Sequence, residues 1–363
     1  MDDRRRIAFG LALIVAIFLL IQLAALALVE PFKQAGYQAV DDPGNPTNTL
    51  LYVVAILAMT GLMLLAFRYD VEGLIRLLIV GSGVWIATYV LGTFVPPFVS
   101  YAGVNVPAVG LALLMGAALL VYPEWYVIDS AGVVMGAGAA GLFGITFGLL
   151  PALLLLAVLA VYDAISVYGT EHMLTLASGV MSMKVPVVLV IPLSPTYSFL
   201  DAEPGVSETE GKTADEQPPA DGDGEIDADG VETAAGDEER DPDERETAAG
   251  ESAAGDEAGP GGPLERDALF IGLGDTVIPT VLVASAAFFL RGAVPGVAGV
   301  PLPAATAMLG TFAGLSVLMW MVLKGRPHAG LPLLNGGTIA GYLLGALASG
   351  LTLAQALGLA AVA

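Results

Sequence analysis

With 363 residues, 56% of them hydrophobic, and a mean hydropathy of +0.76, the chain has more apolar surface than a soluble domain can bury. That points to lipid as its solvent. The formal charge of −22 is local, because residues 201–267 hold 24 of the 36 acidic side chains. Cysteine is absent, which excludes disulfides, thiolate metal sites and a cysteine nucleophile, and His172 and His328 are too few for a histidine-rich metal centre. No metal, other cofactor or nucleic-acid partner is expected. Few lysines beside many aspartates and glutamates suggest a high-salt organism such as a halophilic archaeon.

A helix needs about 20 predominantly apolar residues to cross the hydrocarbon core. In chain order the candidates are 7–29, 49–67, 74–94, 104–122, 131–148, 150–168, 268–290, 304–323 and 331–348, so an all-α polytopic membrane protein with nine spans is expected. Arg4, Arg5 and Arg6 precede the first span, which is long for a signal segment. The 131–168 stretch is divided at Gly148–Pro151, because proline suits the first turn of a helix and not its interior. Basic residues set the orientation. Arg4–Arg6, Arg68, Arg76, Lys324 and Arg326 fall on one side, against Lys33 and Arg291 on the other. The positive-inside rule therefore predicts a cell-membrane protein with its N-terminus in the cytoplasm and its C-terminus outside.

Two spans carry a small-residue stripe: Gly132, Gly136, Ala140, Gly144 and Gly148, and then Gly337, Gly341, Gly345 and Ser349. Such stripes let helix backbones approach closely in lipid, either within one bundle, the favoured reading, or in a homo-oligomer. Residues 201–266 are acidic, rich in Gly, Pro and Ala and almost free of aromatics, so a disordered, solvated spacer is expected there. It divides the chain into an N-terminal six-helix block (1–168), a cytoplasmic connection (169–267) and a C-terminal three-helix block (268–363). Just before it, Val187–Ile191 is an apolar β-branched run between Pro186 and Pro192, which reads as a strand. It is either an interfacial anchor or an edge that pairs with an extended peptide.

Inside these nine spans the only acidic residues are Asp163 and Asp275. A charged group at membrane depth costs about 2.5–3.5 kcal/mol by insertion scales, so each demands a functional explanation. Asp163 lies five residues before the end of its span and Asp275 seven residues into its own, both from the cytoplasmic side. On antiparallel neighbouring helices the two carboxyls would meet at one level. Two close carboxyls share a proton, a state suited to peptide hydrolysis, in which one member activates water and the other donates to the carbonyl oxygen. Gly272 and Gly274 remove bulk beside Asp275, and Pro279 lacks the N–H that would bond the Asp275 carbonyl, so the helix should be open there. Tyr162 reads either as a hydrogen-bond donor to a carboxyl or as a packing residue. Glu171 and His172 should be solvated, and Arg291 reads as a topology anchor. The competing function is a secondary transporter using the paired aspartates as a proton or sodium relay, but no inverted repeat supports it.

Tyr162-Asp163 and Gly272-Leu273-Gly274-Asp275 resemble the YD and GxGD motifs of the presenilin and signal peptide peptidase intramembrane aspartyl proteases. Gly330-Leu331-Pro332, at the ninth span, resembles their PAL motif. The order of the motifs, the number of spans and the long loop between spans six and seven agree across nearly the whole chain. The resemblance implies that Asp163 and Asp275 are the catalytic pair of an intramembrane aspartic endopeptidase. It also implies that Tyr162, Leu273, Gly330, Leu331 and Pro332 shape the site or hold the substrate. Ala329-Gly330 departs from the Pro-Ala that opens the family's motif. Val277-Ile278-Pro279 is closer to signal peptide peptidases, whereas the inferred orientation is closer to presenilins; an archaeal presenilin homologue accommodates both. The implied partners are transmembrane helices of membrane-protein substrates in the bilayer.

Overall fold

The computed structural model describes residues 3–69, 72–169, 187–194, 197–200, 268–324 and 329–360. All of these lie in one compact unit, Met1–Gly205 with Gly255–Ala363. The acidic spacer expected over 201–266, together with Glu171, His172, Arg326 and His328, lies outside the described residues.

Six helices precede the long connection: α1 (Asp3–Gln34), α2 (Thr47–Arg68), α3 (Glu72–Phe94), α4 (Val106–Val121), α5 (Trp125–Thr146) and α6 (Leu149–Gly169). Three long helices follow it: α7 (Leu273–Phe289), α8 (Leu302–Leu323) and α9 (Gly330–Ala348); a single turn, α10 (Leu353–Ala356), comes last. Among the described residues, seven of these helices are long and apolar enough to cross a membrane; Val106–Val121 and Leu273–Phe289 are apolar but shorter. Two-residue hairpins at Ser100–Asn105 (β1 and β2) and Gly296–Pro301 (β5 and β6) close the α3–α4 and α7–α8 turns.

The sequence pattern misplaces two boundaries. Residues 268–272, assigned above to the seventh span, form a strand, β4 (Ala268–Gly272). This strand pairs antiparallel with β3 (Val188–Pro192), so Val188 faces Gly272 and Pro192 faces Ala268. The apolar run 187–191 is thus a strand, and its partner supplied the residues that looked like the start of a helix. A five-residue apolar segment fits either period, and here cross-strand pairing decides. Helix α5 begins at Trp125, not at residue 131, because Glu124 caps it by accepting the Trp125 N–H at 3.3 Å. Asp129 therefore lies inside that helix, an acidic residue in an apolar span that begins earlier than its sequence pattern implies.

The small-residue stripes work within the bundle. A Cβ on Gly144 would stand 2.4 Å from the Ala284 Cβ and 3.1 Å from its carbonyl carbon, so α5 and α7 touch at backbone distance. Between α9 and α8 the approach is closer still: a Cβ on Gly337 would lie 2.3 Å from the Gly310 oxygen, and one on Gly341 2.2 Å from the Thr306 oxygen. The Thr311 and Thr338 hydroxyls bond to each other at 2.8 Å across the same seam. Helix α6 packs on α7 and α9, so the helices before and after the connection form one bundle. Its centre is an apolar cluster that includes Leu156, Leu159, Val281, Leu282, Ala307 and Tyr342. On the face opposite the β3–β4 hairpin, Arg291 pairs with Glu30 at 3.5 Å, joining the ends of α1 and α7.

Candidate active site at the hairpin end of the bundle

Three helix ends and the β3–β4 hairpin meet at one end of the bundle. Asp275 is the third residue of α7, in its first turn, one residue after Gly274 and three after the N-cap Gly272. It is therefore not seven residues deep in a helix, as the 268–290 span implies. An acidic group there faces the partial positive charge of the helix start. Asp163 comes from the other direction, one turn and a half before the end of α6, and is 7% exposed.

The start of α9 joins the two carboxyls. The Leu331 N–H donates to Asp163 Oδ2 at 3.0 Å, so Asp163 satisfies one of the orphan donors of that helix. At the adjacent residue, a Cβ on Gly330 would meet Asp275 Oδ2 at 3.5 Å. Both carboxyls thus flank the Gly330–Leu331 peptide link. Ala329 is buried and supplies the N-cap of α9, while Pro332 takes the third position, where its missing N–H costs nothing. Pro279 lies within α7, and nearby the Thr280 hydroxyl bonds the Thr276 carbonyl at 2.6 Å.

Among the described residues, little crowds the two glycines beside Asp275. Of the described residues, a Cβ on Gly272 would meet the Asp275 carboxyl, at 3.5 Å, and one on Gly274 would meet Ile278, at 3.9 Å. Both glycines are exposed. Leu273 points the other way, against Gly136 of α5. Tyr162 is 37% exposed, and among the described residues no hydrogen bond joins it to either carboxyl, so it reads as a packing or lipid-facing residue.

Among the described residues, the two outer edges of the hairpin differ. The Leu273 N–H donates to the Val187 carbonyl at 2.7 Å, so alternate β3 residues from 187 point their backbone groups at β4. The backbone groups of Val188, Val190 and Pro192 point away from β4, on the side where α5 packs, and the Val190 N–H donates to Asp129 Oδ1 at 2.8 Å. Helix α5 thus covers this side of β3 and offers an acceptor to the Val190 N–H. On the far side of β4, Ala268, Phe270 and Gly272 present their backbone groups away from β3, with Phe270 and Gly272 exposed.

The site residues found by sequence motif thus gather at one end of the bundle, with Tyr162 at its margin. Motif reading missed Asp129 and Glu124. Pro123-Glu124 ahead of an apolar run was the available signal for an earlier helix start.

Asp163, buried, and Asp275, half-buried, thus lie on adjoining helices of an apolar bundle, beside the β3–β4 hairpin. The signal-peptide peptidase, presenilin aspartyl protease family matches residues 15–351, and the chain belongs to it. Among solved structures it is similar to a presenilin family intramembrane aspartate protease in space group C222. That likeness has 28% identity and a TM-score of 0.57, covering 93% of this chain and 99% of that one. A presenilin family intramembrane aspartate protease in space group P2 matches at 28% identity and a TM-score of 0.54, covering 92% of this chain and 96% of that one. No curated protein matches the chain.

Proposed function

We propose that the protein is an endopeptidase of the GxGD type that hydrolyses peptide bonds within transmembrane segments, with Asp163 and Asp275 as its catalytic pair. The observation that carries this reading is the convergence of both carboxyls on the Gly330–Leu331 link. One carboxylate takes a proton from water as it attacks the scissile carbonyl, and the protonated partner donates to the carbonyl oxygen. The Leu331 N–H holds Asp163 in place, and the first turn of α7 holds Asp275. Gly272 and Gly274 leave room for a substrate backbone at the attack distance.

The substrate is a membrane-protein helix that unwinds locally, since a helical backbone shields its own carbonyls. The unwound segment adds as a strand to the free edge of β4, ending beside Asp275. Nine crossings, a cytoplasmic N-terminus and an outer C-terminus place the hairpin and both aspartates near the cytoplasmic face, with the two short apolar helices counted as spans. The chain then reads as a six-helix block, a cytoplasmic connection and a three-helix block. The relay alternative has no support beyond the aspartates themselves.

The test is cleavage of a single-span substrate by purified protein in bilayers. Wild type should cut it, Asp163→Ala and Asp275→Ala should not, and an aspartyl transition-state analogue should inhibit. Cleavage persisting in either variant sinks the reading.

A further inference from the structure

Two side chains outside the aspartate pair, Gln22 on α1 and Thr276 on α7, are polar and fully buried. Among the described residues, neither the amide nitrogen nor the oxygen of Gln22 has a hydrogen-bond partner, and the Thr276 hydroxyl has none. In an apolar bundle such groups are costly unless something pairs with them.

Thr276 lacks the usual local remedy. A helical threonine ordinarily donates to the carbonyl four residues back, as Thr280 does to Thr276 at 2.6 Å and Thr338 to Leu334 at 2.7 Å. Four residues before Thr276 stands Gly272, the last residue of β4 and outside the helix. Its hydroxyl is thus left unpaired one residue from Asp275.

Packing sets the two side chains next to each other. A Cβ on Gly136 of α5 would meet Leu273 at 3.1 Å, Val277 at 3.3 Å and Ile21 at 3.4 Å, so α1 and α7 reach α5 at one level. Gln22 follows Ile21, and Thr276 precedes Val277. On α7, Leu273 and Val277 face α5, Asp275 faces the start of α9, and Gly274 is exposed. At about 3.6 residues per turn, Thr276 points to the remaining side, between α5 and α9. That side holds α1, whose Phe18 and Ile21 pack with Leu315 of α8 and Leu334 of α9. The Gln22 amide and the Thr276 hydroxyl can each donate and accept, yet they do not bond to each other. One water between them satisfies groups on both, which apolar packing does not.

We propose that Gln22 and Thr276 hold an internal water between α1 and α7, and that Gln22 is thereby a positioning residue that fixes the first turn of α7 and with it Asp275. The positioning role rests on the proteolytic reading above; the water site does not.

The experiment uses the full chain, in detergent for stability and in bilayers for cleavage. Gln22→Met and Thr276→Val keep shape and remove polarity. At a dry site either change deletes an unpaired polar group, so the thermal midpoint rises or holds. At a shared water each change strands the other partner. Each single variant should then lower the midpoint by several degrees, and the double variant should lie no lower than either. Against a single-span substrate, both single variants should lower kcat per folded molecule about tenfold and leave KM unchanged. Thr276→Ser, which keeps the hydroxyl, should match wild type. Midpoints that rise or hold in the single variants, additive losses in the double, or an unchanged kcat overturn the proposal. Should a single variant not fold, the other carries the kinetic test and the wild-type protein decides the site. A density map that resolves waters must then show one within hydrogen-bond distance of both side chains. A dry contact, or a direct Gln22–Thr276 bond, overturns the proposal. Asp163→Ala and Asp275→Ala run in parallel. If either still cuts, the proteolytic reading falls and takes the positioning role with it, while the midpoints still judge the water site. If both are inactive, an unchanged kcat in Gln22→Met is this inference's own failure.

Discussion

The backbone N–H of Leu331 donates to Asp163 Oδ2 at 3.0 Å, while the residue before it abuts Asp275. The short Gly330-Leu331-Pro332 element is therefore a spacer between two carboxyls, acting through its backbone at one position and its lack of a side chain at the next.

If the Leu331 amide holds Asp163, deleting the donor should matter more than deleting the side chain. Leu331→Pro removes the N–H at a first-turn position where proline is tolerated, whereas Leu331→Ala keeps it. A hydrogen bond to a charged group contributes about 1.5–3 kcal/mol, so Leu331→Pro should cut the cleavage rate roughly 10- to 100-fold below Leu331→Ala. Equal rates in the two variants would mean that the bond does nothing for catalysis.

Gly330 stands where the family's motif has alanine, and the geometry accounts for the tolerance. A Cβ there would sit 3.5 Å from Asp275 Oδ2, 3.7 Å from its carboxyl carbon and 3.8 Å from Leu318, all ordinary contact distances. Gly330→Ala should cleave nearly as wild type, while Gly330→Leu should be inactive though folded, because its larger side chain must displace the carboxyl. An inactive, folded Gly330→Ala would show that backbone freedom is what the position needs.

Residue patterning made much of this end of the molecule legible. Asp163 and Asp275 stand out because lipid penalises charge, and the strand at 187–191 because β-branched residues lie between prolines. Their meeting at Gly330–Leu331 was not legible, since contact between α6, α7 and α9 is a tertiary fact. Ala268–Gly272 fits a helix as well as a strand in sequence, because an apolar run of five looks alike in both periods, and only β3 settles it. Asp129 falls outside the span that the sequence pattern starts at 131, because the cap that starts the helix earlier is a glutamate, a less common N-cap than Ser, Thr, Asp or Asn. The glycine stripes were legible as contact surfaces, and their partners, Ala284 on one and Gly310 and Thr306 on the other, were not.

Those stripes make a quantitative prediction. A Cβ at Gly341 would stand 2.2 Å from the Thr306 oxygen, a backbone atom that cannot swing away, so α8 and α9 would have to separate. Overpacking of this kind costs about 1–3 kcal/mol, so Gly341→Ala should lower the thermal midpoint in detergent by several degrees. Gly336→Ala, one residue from the seam and with no described neighbour within 4 Å of its Cβ, should not lower it, because alanine favours the helix. Equal midpoints for the two would mean that the helices are not in backbone contact.

Glu124 offers a test through pH. It lies just outside α5, is 5% exposed, and accepts from Ser198 Oγ at 2.6 Å and the Phe199 N–H at 3.0 Å. The Phe199 ring lies 6.1 Å from that of Phe270 on β4. Burial alone would raise the carboxyl's pKa, but the bonds from Ser198, Phe199, Trp125 and Leu200 together outweigh it and hold the group below its ordinary value of 4.5. A depressed pKa in the folded state means that the clasp adds stability above the ordinary carboxylate range and loses it as pH falls through the lowered value. Hydrogen exchange at the Phe199 amide, corrected for intrinsic rate, should therefore stay slow down to that range and quicken below it. In Glu124→Gln, which cannot ionise, the quickening should vanish and protection should be weaker at neutral pH. A wild-type amide whose protection does not change on acidification would show that the carboxylate charge does not hold this segment.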